Sequence, residues 1–255
     1  MNSISFEEYL EPVCAIAEDA GRLIMRYFSG TFGTRRKDDE SPVTDADIAA
    51  NEFIVKALLR LTPGIPAVAE ESDSHAEAHL REGGFWLVDP LDGTRSFVRG
   101  ETEFTVNIGL VRDGCPLLGV IYAPPQETLY WSAKEQGAFR RVKGGAAERI
   151  HTRKPPADGL VVVRSRSHPS AKTSVYLETL NIKEQLGKSS AIKFCMVAEG
   201  SADIYPRFGR TMEWDTAAGQ AIVEAAGGRV ETEGGQPFTY GKPGFENPAF
   251  IVYGQ

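Results

Sequence analysis

A short apolar run, Phe85-Trp-Leu-Val, ends on Asp89, and Pro90, Leu91, Asp92, Gly93 and Thr94 follow it. The run reads as a strand that delivers Asp89 at its end. Pro90 fixes the turn, and Gly93 permits a close backbone approach. Two carboxylates on one tight turn can converge on a hard cation, which prefers oxygen ligands. Amides after a glycine can cradle a phosphate. Taken alone, the stretch is equally an ordinary Asp-Gly turn. Two further segments carry acids in similar settings. Val68-Ala69-Glu70-Glu71-Ser72 puts paired acids after another apolar run, and Trp214-Asp215-Thr-Ala-Ala-Gly219 puts one at a helix start. Each has a plain alternative, a solvated strand end for Glu70 and Glu71 and a helix cap for Asp215. Thr44-Asp-Ala-Asp47 has the spacing of a capping box.

These groups need elements to position them. Phe6, Leu10, Val13, Ala17, Ala20, Ile24 and Phe28 recur at helical spacing, which predicts a long amphipathic helix stopping at Ser29-Gly30. Thr31 to Pro42 is charged and without periodicity and reads as a mobile loop. A second helix runs from Thr44 through Ile48, Ile54, Val55, Leu58 and Leu59 to Thr62-Pro63. Strands are expected at Pro66 to Ala69, Phe85 to Val88, Thr105 to Val111, Leu117 to Tyr122 and Thr128 to Ser132. The last three are separated by the turn signals Asp113-Gly114 and Pro124-Pro125 and suggest an antiparallel meander. Further on, a strand at Leu160 to Val163 precedes helices at Ser170 to Leu180, Ala191 to Glu199 and Trp214 to Ala226. A final strand is expected at Phe250 to Tyr253. The order predicts an α/β (α+β) chain in two lobes, 1–150 with most of the clustered acids and 151–255 with Asp215, forming one compact unit.

Composition bounds what such a unit handles. The 255 residues include 35 acidic and 28 basic side chains, a formal charge of −7. An acidic chain lacks the basic surface that nucleic-acid polymers require. With 42% hydrophobic and 25% charged residues it reads as an ordinary globule. Met1 to Leu10 carries Glu7 and Glu8 rather than a basic segment before an apolar one, so no secretory signal is expected there. No apolar run approaches the roughly 20 residues of a membrane span, which leaves peripheral membrane association open. Cys14, Cys115 and Cys195 form no Cys-x-x-Cys pair and are expected as reduced core residues in a cytoplasmic protein.

Taken together, Glu70-Glu71, Asp89-Pro-Leu-Asp92-Gly-Thr94 and Trp214-Asp215-Thr-Ala-Ala-Gly219 resemble, in order and spacing, the signature motifs of the inositol monophosphatase superfamily. The resemblance covers essentially the whole chain. It implies a layered αβαβα sandwich and a magnesium-dependent, lithium-sensitive phosphatase. It implies two or three Mg²⁺ ions. One would be held by Glu70, Asp89 and the Leu91 carbonyl, and a second by Asp89, Asp92 and Asp215. A third, weaker ion would use Glu70 and waters. Thr94, paired with Asp47, would orient and deprotonate the attacking water in a metal-assisted in-line displacement. Thr44 to Asp47 matches the superfamily's Val-Thr-x-x-Asp segment, so capping and catalysis can share these residues. Glu71 would stand behind the ligands, while Gly93, Thr94 and Asp215 would contact substrate. Thr31 to Pro42, with Lys37, Asp38 and Asp39, lies where the superfamily has a flap.

The second half resembles one subgroup, the bacterial 3′(2′),5′-bisphosphate nucleotidases, in Ser165-Arg-Ser167-His168, Ser190-Ala-Ile-Lys193 through Gly200, and Ile204-Tyr-Pro-Arg207-Phe-Gly209. Gly119 to Pro124 shares the likeness. The implied substrate is 3′-phosphoadenosine 5′-phosphate, a by-product of sulfate assimilation. Ser190, Lys193 and Arg207 would bind its 5′-phosphate, groups well suited to an anion, and His168 would lie near the nucleoside. Glu213, beside Trp214, could instead touch a ribose hydroxyl or repel a phosphate. An inositol or other sugar-phosphate phosphatase, and a non-catalytic binding protein on the same fold, are the rival readings. Relatives of this type are often dimers, so a homodimer is an open expectation. Other features point to no site. His75-Ala-Glu-Ala-His79 reads as a solvated helix face, and Arg140, Arg141 and Lys143 read as an exposed turn. Ser165, Ser167 and His168 are adjacent without implying a triad.

Overall fold

The computed structural model describes residues 6–37, 42–72, 84–133, 136–167 and 170–255. After a 3-10 turn at Phe6–Tyr9 come α1 (Leu10–Phe28), β1 (Thr34–Arg36), β2 (Pro42–Thr44), α2 (Asp45–Leu61), β3 (Ala67–Ala69), β4 (Phe85–Asp92) and α3 (Thr94–Val98). The chain continues through β5 (Thr105–Arg112), β6 (Cys115–Ala123), β7 (Thr128–Ala133), β8 (Gly137–Val142) and β9 (Glu148–Ile150). The second half holds β10 (Leu160–Ser165), α4 (Ala171–Glu178), β11 (Ile182–Lys188), α5 (Ile192–Ala198), β12 (Ile204–Arg207), α6 (Ala217–Ala225), β13 (Arg229–Thr232) and β14 (Phe250–Tyr253).

Seven strands make one sheet in the order β3-β4-β5-β6-β7-β8-β9, parallel only between β3 and β4. The other sheet runs β11-β10-β12-β14-β13, with β10 parallel to both β11 and β12. Side-chain alternation sorts β4 and β5 between two cores. Trp86, Val88, Val106, Ile108 and Leu110 pack under α1 and α2, while Phe85, Leu87 and Val111 join the core shared with α5, α6 and the second sheet. On the far face of that second sheet, Leu177 of α4 meets Val162, Ile204 and Ile251. The layers therefore alternate α, β, α, β, α, as the resemblance implied.

α6 lies between the two sheets and is buried without interruption from Ala217 to Val223. A helix apolar all round is what such a position demands. Its close seat depends on small residues below it. A Cβ on Gly109 would fall 2.9 Å from the Ala217 Cβ, and one on Gly119 would collide with the Ala218 carbonyl oxygen. That contact fixes the turn that precedes α6 and carries Asp215.

Several expectations need correction. Part of the segment read as a loop is a two-stranded ribbon, β1 antiparallel to β2, whose exposed Arg35 and Arg36 hid it from a hydrophobic pattern. α2 buries Ala46, Ala50, Ile54 and Leu58, leaving Ile48 and Leu59 exposed, because alanines let it approach α1 and the sheet. The last long helix begins at Ala217, and Glu213–Asp215 is a separate 3-10 turn. Cys115 is exposed, unlike the buried Cys14 and Cys195. Arg140 and Arg141 lie in β8, bonded to Glu148 and Glu199 and to Glu18 respectively; only Lys143 is in an exposed turn. β8, β9, β11, β12 and β13 were not foreseen. His75 and His79 lie outside the described residues. Among the described residues, no helix is long and apolar enough to cross a membrane.

Gly119→Ala should lower stability by about 1–3 kcal/mol through overpacking, read as a lower urea midpoint. Gly64, with nothing near its missing Cβ, is the control, and Gly64→Ala should be neutral or slightly stabilising. Equal midpoints for the two variants would disprove the tight seat of α6.

Candidate active site

Asp89 pairs with Asn107 across β4 and β5, and Asp92 pairs with Thr105. Three steps on one strand thus face two on the other, a bulge of one residue. Residues three apart on a regular strand point to opposite faces. The extra residue turns Asp92 to the side of Asp89, and both line one cavity of about 210 Å³. Pro90 has no N–H to give to the ladder, and the Leu91 N–H donates instead to Asp89 Oδ1 at 3.0 Å. Gly93 follows at φ 99°, and a Cβ there would lie 2.8 Å from the Glu103 carbonyl oxygen. Asp92 accepts from Asn107 Nδ2 at 3.4 Å and from the Ala191 N–H.

Glu70 leaves the end of β3, its N–H donating to the Val88 carbonyl at 3.1 Å. Parallel neighbours β3 and β4 therefore release their acids at the same end. Asp215 arrives on the Glu213–Asp215 turn, which packs on β4 and β5, and its Oδ2 accepts from the Met212 N–H at 2.8 Å. One carboxylate oxygen from each of Glu70, Asp89 and Asp215 lies within 4.8 Å of the others. Burial, followed by the charges of Glu70, Asp92 and Asp215, pushes Asp89 well above the usual carboxylate range. Burial and then Asp92 and Glu70 push Asp215 up to about 8. Asp92 is raised as well, burial outweighing the nearby Lys193. Oxygen donors that oppose one another's ionisation are what a hard dication relieves, so the set fits such an ion.

Lys37 supplies some internal compensation. Its ammonium donates to Glu70 Oε1 at 2.7 Å and to Glu71 Oε1 at 2.5 Å. Burial works against its charge, but these two acids outweigh it and raise its pKa. Glu71 itself is raised to about 7, chiefly by burial.

Asp47 combines a structural and a chemical position. Its Oδ2 accepts from the Thr44 N–H at 2.8 Å and the Thr44 hydroxyl at 2.5 Å, closing the foreseen capping box at the start of α2. Its Oδ1 lies 3.0 Å from Thr94 Oγ1, which is also 3.1 Å from the Leu91 carbonyl oxygen. Both neighbours can only accept, so the Thr94 proton is committed to them and its lone pairs remain for another donor. Burial raises the Asp47 pKa despite these bonds.

The other end of the cavity is cationic. The parallel strands β10, β11 and β12 end there at Ser165, just before Ser189 and Ser190, and at Arg207, the carboxyl-end position where open α/β sheets place ligands. Lys193 is 5% exposed, donates to the Ser190 carbonyl and lies 5.3 Å from the Tyr205 ring centre. Burial lowers its pKa to about 8. Arg207 is 8% exposed and donates to the Arg210 carbonyl at 2.9 Å, while its buried Nε has no partner. Neither cation forms an ion pair among the described residues. Ser190 stands at φ 55°, a left-handed conformation that non-glycine residues adopt under constraint.

The structure gathers Glu70, Asp89, Leu91, Asp92, Gly93, Thr94, Ser190, Lys193, Arg207 and Asp215 around this cavity, with Asp47 behind Thr94. It does not bring Glu213 there. That carboxylate is fully buried, accepts from the Gly241 and Lys242 N–H groups at 2.8 and 2.9 Å and pairs with the Lys242 ammonium at 2.7 Å. The expected contact with ribose or phosphate is replaced by this brace. His168, Asp38 and Asp39 lie outside the described residues. Asn107, which holds Asp92, was missed; a lone asparagine within the apolar run Thr105 to Val111 was its signal.

Comparison with known proteins agrees with this geometry. The inositol monophosphatase family, a family of metal-dependent enzymes, matches residues 5–250, and the chain belongs to it. A Salmonella typhimurium relative named 3′(2′),5′-bisphosphate nucleotidase CysQ is 44% identical over 95% of this chain and 98% of its own length. A Haemophilus influenzae protein of the same name is 30% identical over 97% of this chain and 93% of its own. The crystal structure of CysQ from Bacteroides thetaiotaomicron superposes with a TM-score of 0.86 at 36% identity, covering 99% of both chains. That of an inositol monophosphatase from Anabaena gives 0.78 at 26% identity, covering 97% of this chain and 91% of the other.

The raised carboxylates make stability depend on pH and on metal. Without a divalent ion the folded protein keeps protons that an unfolded aspartate releases near 3.8, while Asp215 holds its own to about 8. Stability present at low pH is therefore lost as the pH climbs through that window, then levels off. Calorimetric unfolding in EDTA should show the melting temperature falling between about pH 5 and pH 8. Millimolar Mg²⁺ should flatten the decline, and so should Asp215→Asn in EDTA. An identical slope with and without Mg²⁺ would exclude the cluster as its site.

Proposed function

We propose that the protein is a Mg²⁺-dependent 3′(2′),5′-bisphosphate nucleotidase that hydrolyses 3′-phosphoadenosine 5′-phosphate to AMP and phosphate. The observation that carries this reading is the polarity of one cavity: clustered carboxylates at one end, and at the other two buried cations that form no ion pair among the described residues. A substrate with two phosphates matches both ends. A sugar monophosphate would leave Lys193 and Arg207 unused. The nucleotidase names carried by relatives at 44% identity support the same choice. The 5′-phosphosulfate analogue has the same two anionic ends and belongs to the proposed substrate range, with clearance of a sulfate-assimilation by-product as the role.

In this reading Glu70, Asp89, Asp92, Asp215 and the Leu91 carbonyl hold two or three Mg²⁺ ions. Bound there, the ions would supply Lewis-acid charge to the phosphoryl group and lower the pKa of water. Thr94 takes a proton from the attacking water as it passes its own hydroxyl proton to Asp47 Oδ1. The raised pKa of Asp47 suits it to receive that proton. Ser190, Lys193 and Arg207 take the 5′-phosphate, fixing which ester oxygen meets the water. At neutral pH Lys193, with a pKa of about 8, remains mostly charged. With Glu70 engaged by an ion, Lys37 would still be held by Glu71. His168 is assigned to the nucleoside. We read the chain as two lobes, 1–150 and 151–255, meeting at this site in one compact catalytic unit, and as a cytoplasmic protein.

Phosphate release with Mg²⁺ from the bisphosphate nucleotide, inositol 1-phosphate and fructose 1,6-bisphosphate tests the reading, with lithium as inhibitor. The nucleotide should be turned over best, and an equal or better rate with inositol 1-phosphate would overturn it. Asp92→Asn should abolish turnover with an unchanged fold. Lys193→Ala should raise KM for the bisphosphate while sparing simple esters; an equal loss on both would refute the assignment to the 5′-phosphate.

A further inference from the structure

We propose that Glu103 is a positioning residue that sets the preference for a second phosphate, by holding the Ser189-Ser190-Ala191 turn at a fixed distance from the metal-ligand turn. The inference rests on the bisphosphate reading above. Glu103 is absent from the cavity lining and so acts through other groups. Its Oε2 accepts from the Ser189 N–H at 3.0 Å, and its Oε1 accepts from Lys188 Nζ at 3.0 Å and an Arg166 guanidinium nitrogen at 2.8 Å. On the other side of Ser190, the Ala191 N–H donates to the Asp92 carboxylate. The two amides that flank Ser190 are therefore held by carboxylates from the first half of the chain.

The same residue limits the metal-ligand turn. Its carbonyl oxygen stands 2.8 Å from where a Cβ on Gly93 would lie, too close for one. Its backbone thus borders one turn while its side chain holds the other. Ser96 Oγ adds a contact to Ser189 Oγ at 3.2 Å. Between the two held amides, Ser190 adopts its left-handed φ of 55°, and its carbonyl receives the Lys193 ammonium. Loss of the Glu103 bond would release Ser190 to an ordinary backbone conformation and carry the Lys193 anchor with it. The Lys188 and Arg166 pairs contribute less, because both cations are about a third or more exposed, at 36% and 44%.

Calorimetric binding of AMP to the full chain in EDTA reads the 5′-phosphate end without turnover. Initial rates with Mg²⁺ on 3′-phosphoadenosine 5′-phosphate and on 3′-AMP, which lacks the second phosphate, then separate KM from kcat. Glu103→Ala should weaken AMP binding and raise KM for the bisphosphate by about tenfold, leaving kcat on 3′-AMP within about twofold. Glu103→Gln keeps an oxygen for the Ser189 N–H and should bind AMP nearly as the parent does. Glu103→Asp keeps the charge but shortens the reach, and it carries the same expectation as alanine should the alanine variant fail to fold. Unchanged AMP binding in the alanine or aspartate variant overturns the inference. So does a glutamine variant as weak as alanine, or an equal loss of kcat on both substrates. A parent protein that binds AMP but releases no phosphate from the bisphosphate refutes the nucleotidase reading alone, and the AMP comparison still decides the role of Glu103. A parent that binds no AMP overturns both.

Discussion

Four carboxylates, Glu70, Asp89, Asp92 and Asp215, come together from three separate segments, and the charges of their neighbours add to burial in making Asp89 and Asp215 hard to ionise. Free chains would relieve such repulsion by moving apart or by staying protonated. Here each segment is tied down locally. Asp89 is held by the Leu91 N–H, Asp92 by Asn107 and the Ala191 N–H, and Asp215 by the Met212 N–H. Glu70 is fixed through its backbone to β4. These bonds satisfy some lone pairs, and Lys37 offsets part of the charge at Glu70, but the buried aspartates still resist ionisation. The scaffold thus stores an unfavourable arrangement that an external cation can relieve, and rigidity is the condition for that.

The rigidity has an identifiable source. β4 lies between β3 and β5, so its end cannot shift without breaking pairing on both sides. The single-residue bulge at Pro90 and Leu91 is the irregularity in the β4–β5 pairing, and it points both aspartates the same way. Asp215 is placed independently, by the seat of α6 over Gly109 and Gly119. The cationic groups come from the second half of the chain, Arg207 from the end of β12 and Lys193 from the first turn of α5, which follows β11. Two carboxyl-terminal sheet ends therefore face each other across one cavity, with α6 and its preceding turn between them.

Much of the site was legible in the sequence, because its chemistry demands particular residue types at particular spacings. The Asp89 to Thr94 run, Glu70-Glu71 and Trp214-Asp215 could be read without knowing which strands pair. The capping box at Thr44 and Asp47 was also visible, and its geometry leaves Asp47 Oδ1 free for Thr94. The fold was less complete. β11 reads Ile182-Lys-Glu-Gln-Leu186-Gly-Lys188 and is an exposed edge strand, so it lacks an apolar signature. β12 contains Pro206, which argues against a strand until its antiparallel partner β14 is known. β8 carries arginines whose acidic partners are distant in sequence, Glu199 and Glu18. The role of Glu213 stayed open in the sequence for the same reason. Next to Trp214 it looked like part of the site, yet its partners are the Gly241 and Lys242 amides some thirty residues on.

An overall charge of −7 therefore says little about how the protein meets an anion. Charge acts over about 8 Å in physiological salt, a distance shorter than the molecule. Within that range the acids are gathered at one end and become a positive locus only when metal is bound. Lys193 and Arg207 at the other end are withdrawn from solvent, where their attraction for a phosphate is less screened than it would be on the surface. Burial carries a cost for Lys193, whose pKa falls to about 8. That cost is bounded by Asp92, which favours the charged lysine across the cavity. The two ends are thus electrostatically dependent on each other: the carboxylates that require a cation also keep Lys193 protonated, and neither end would hold its charge as well alone.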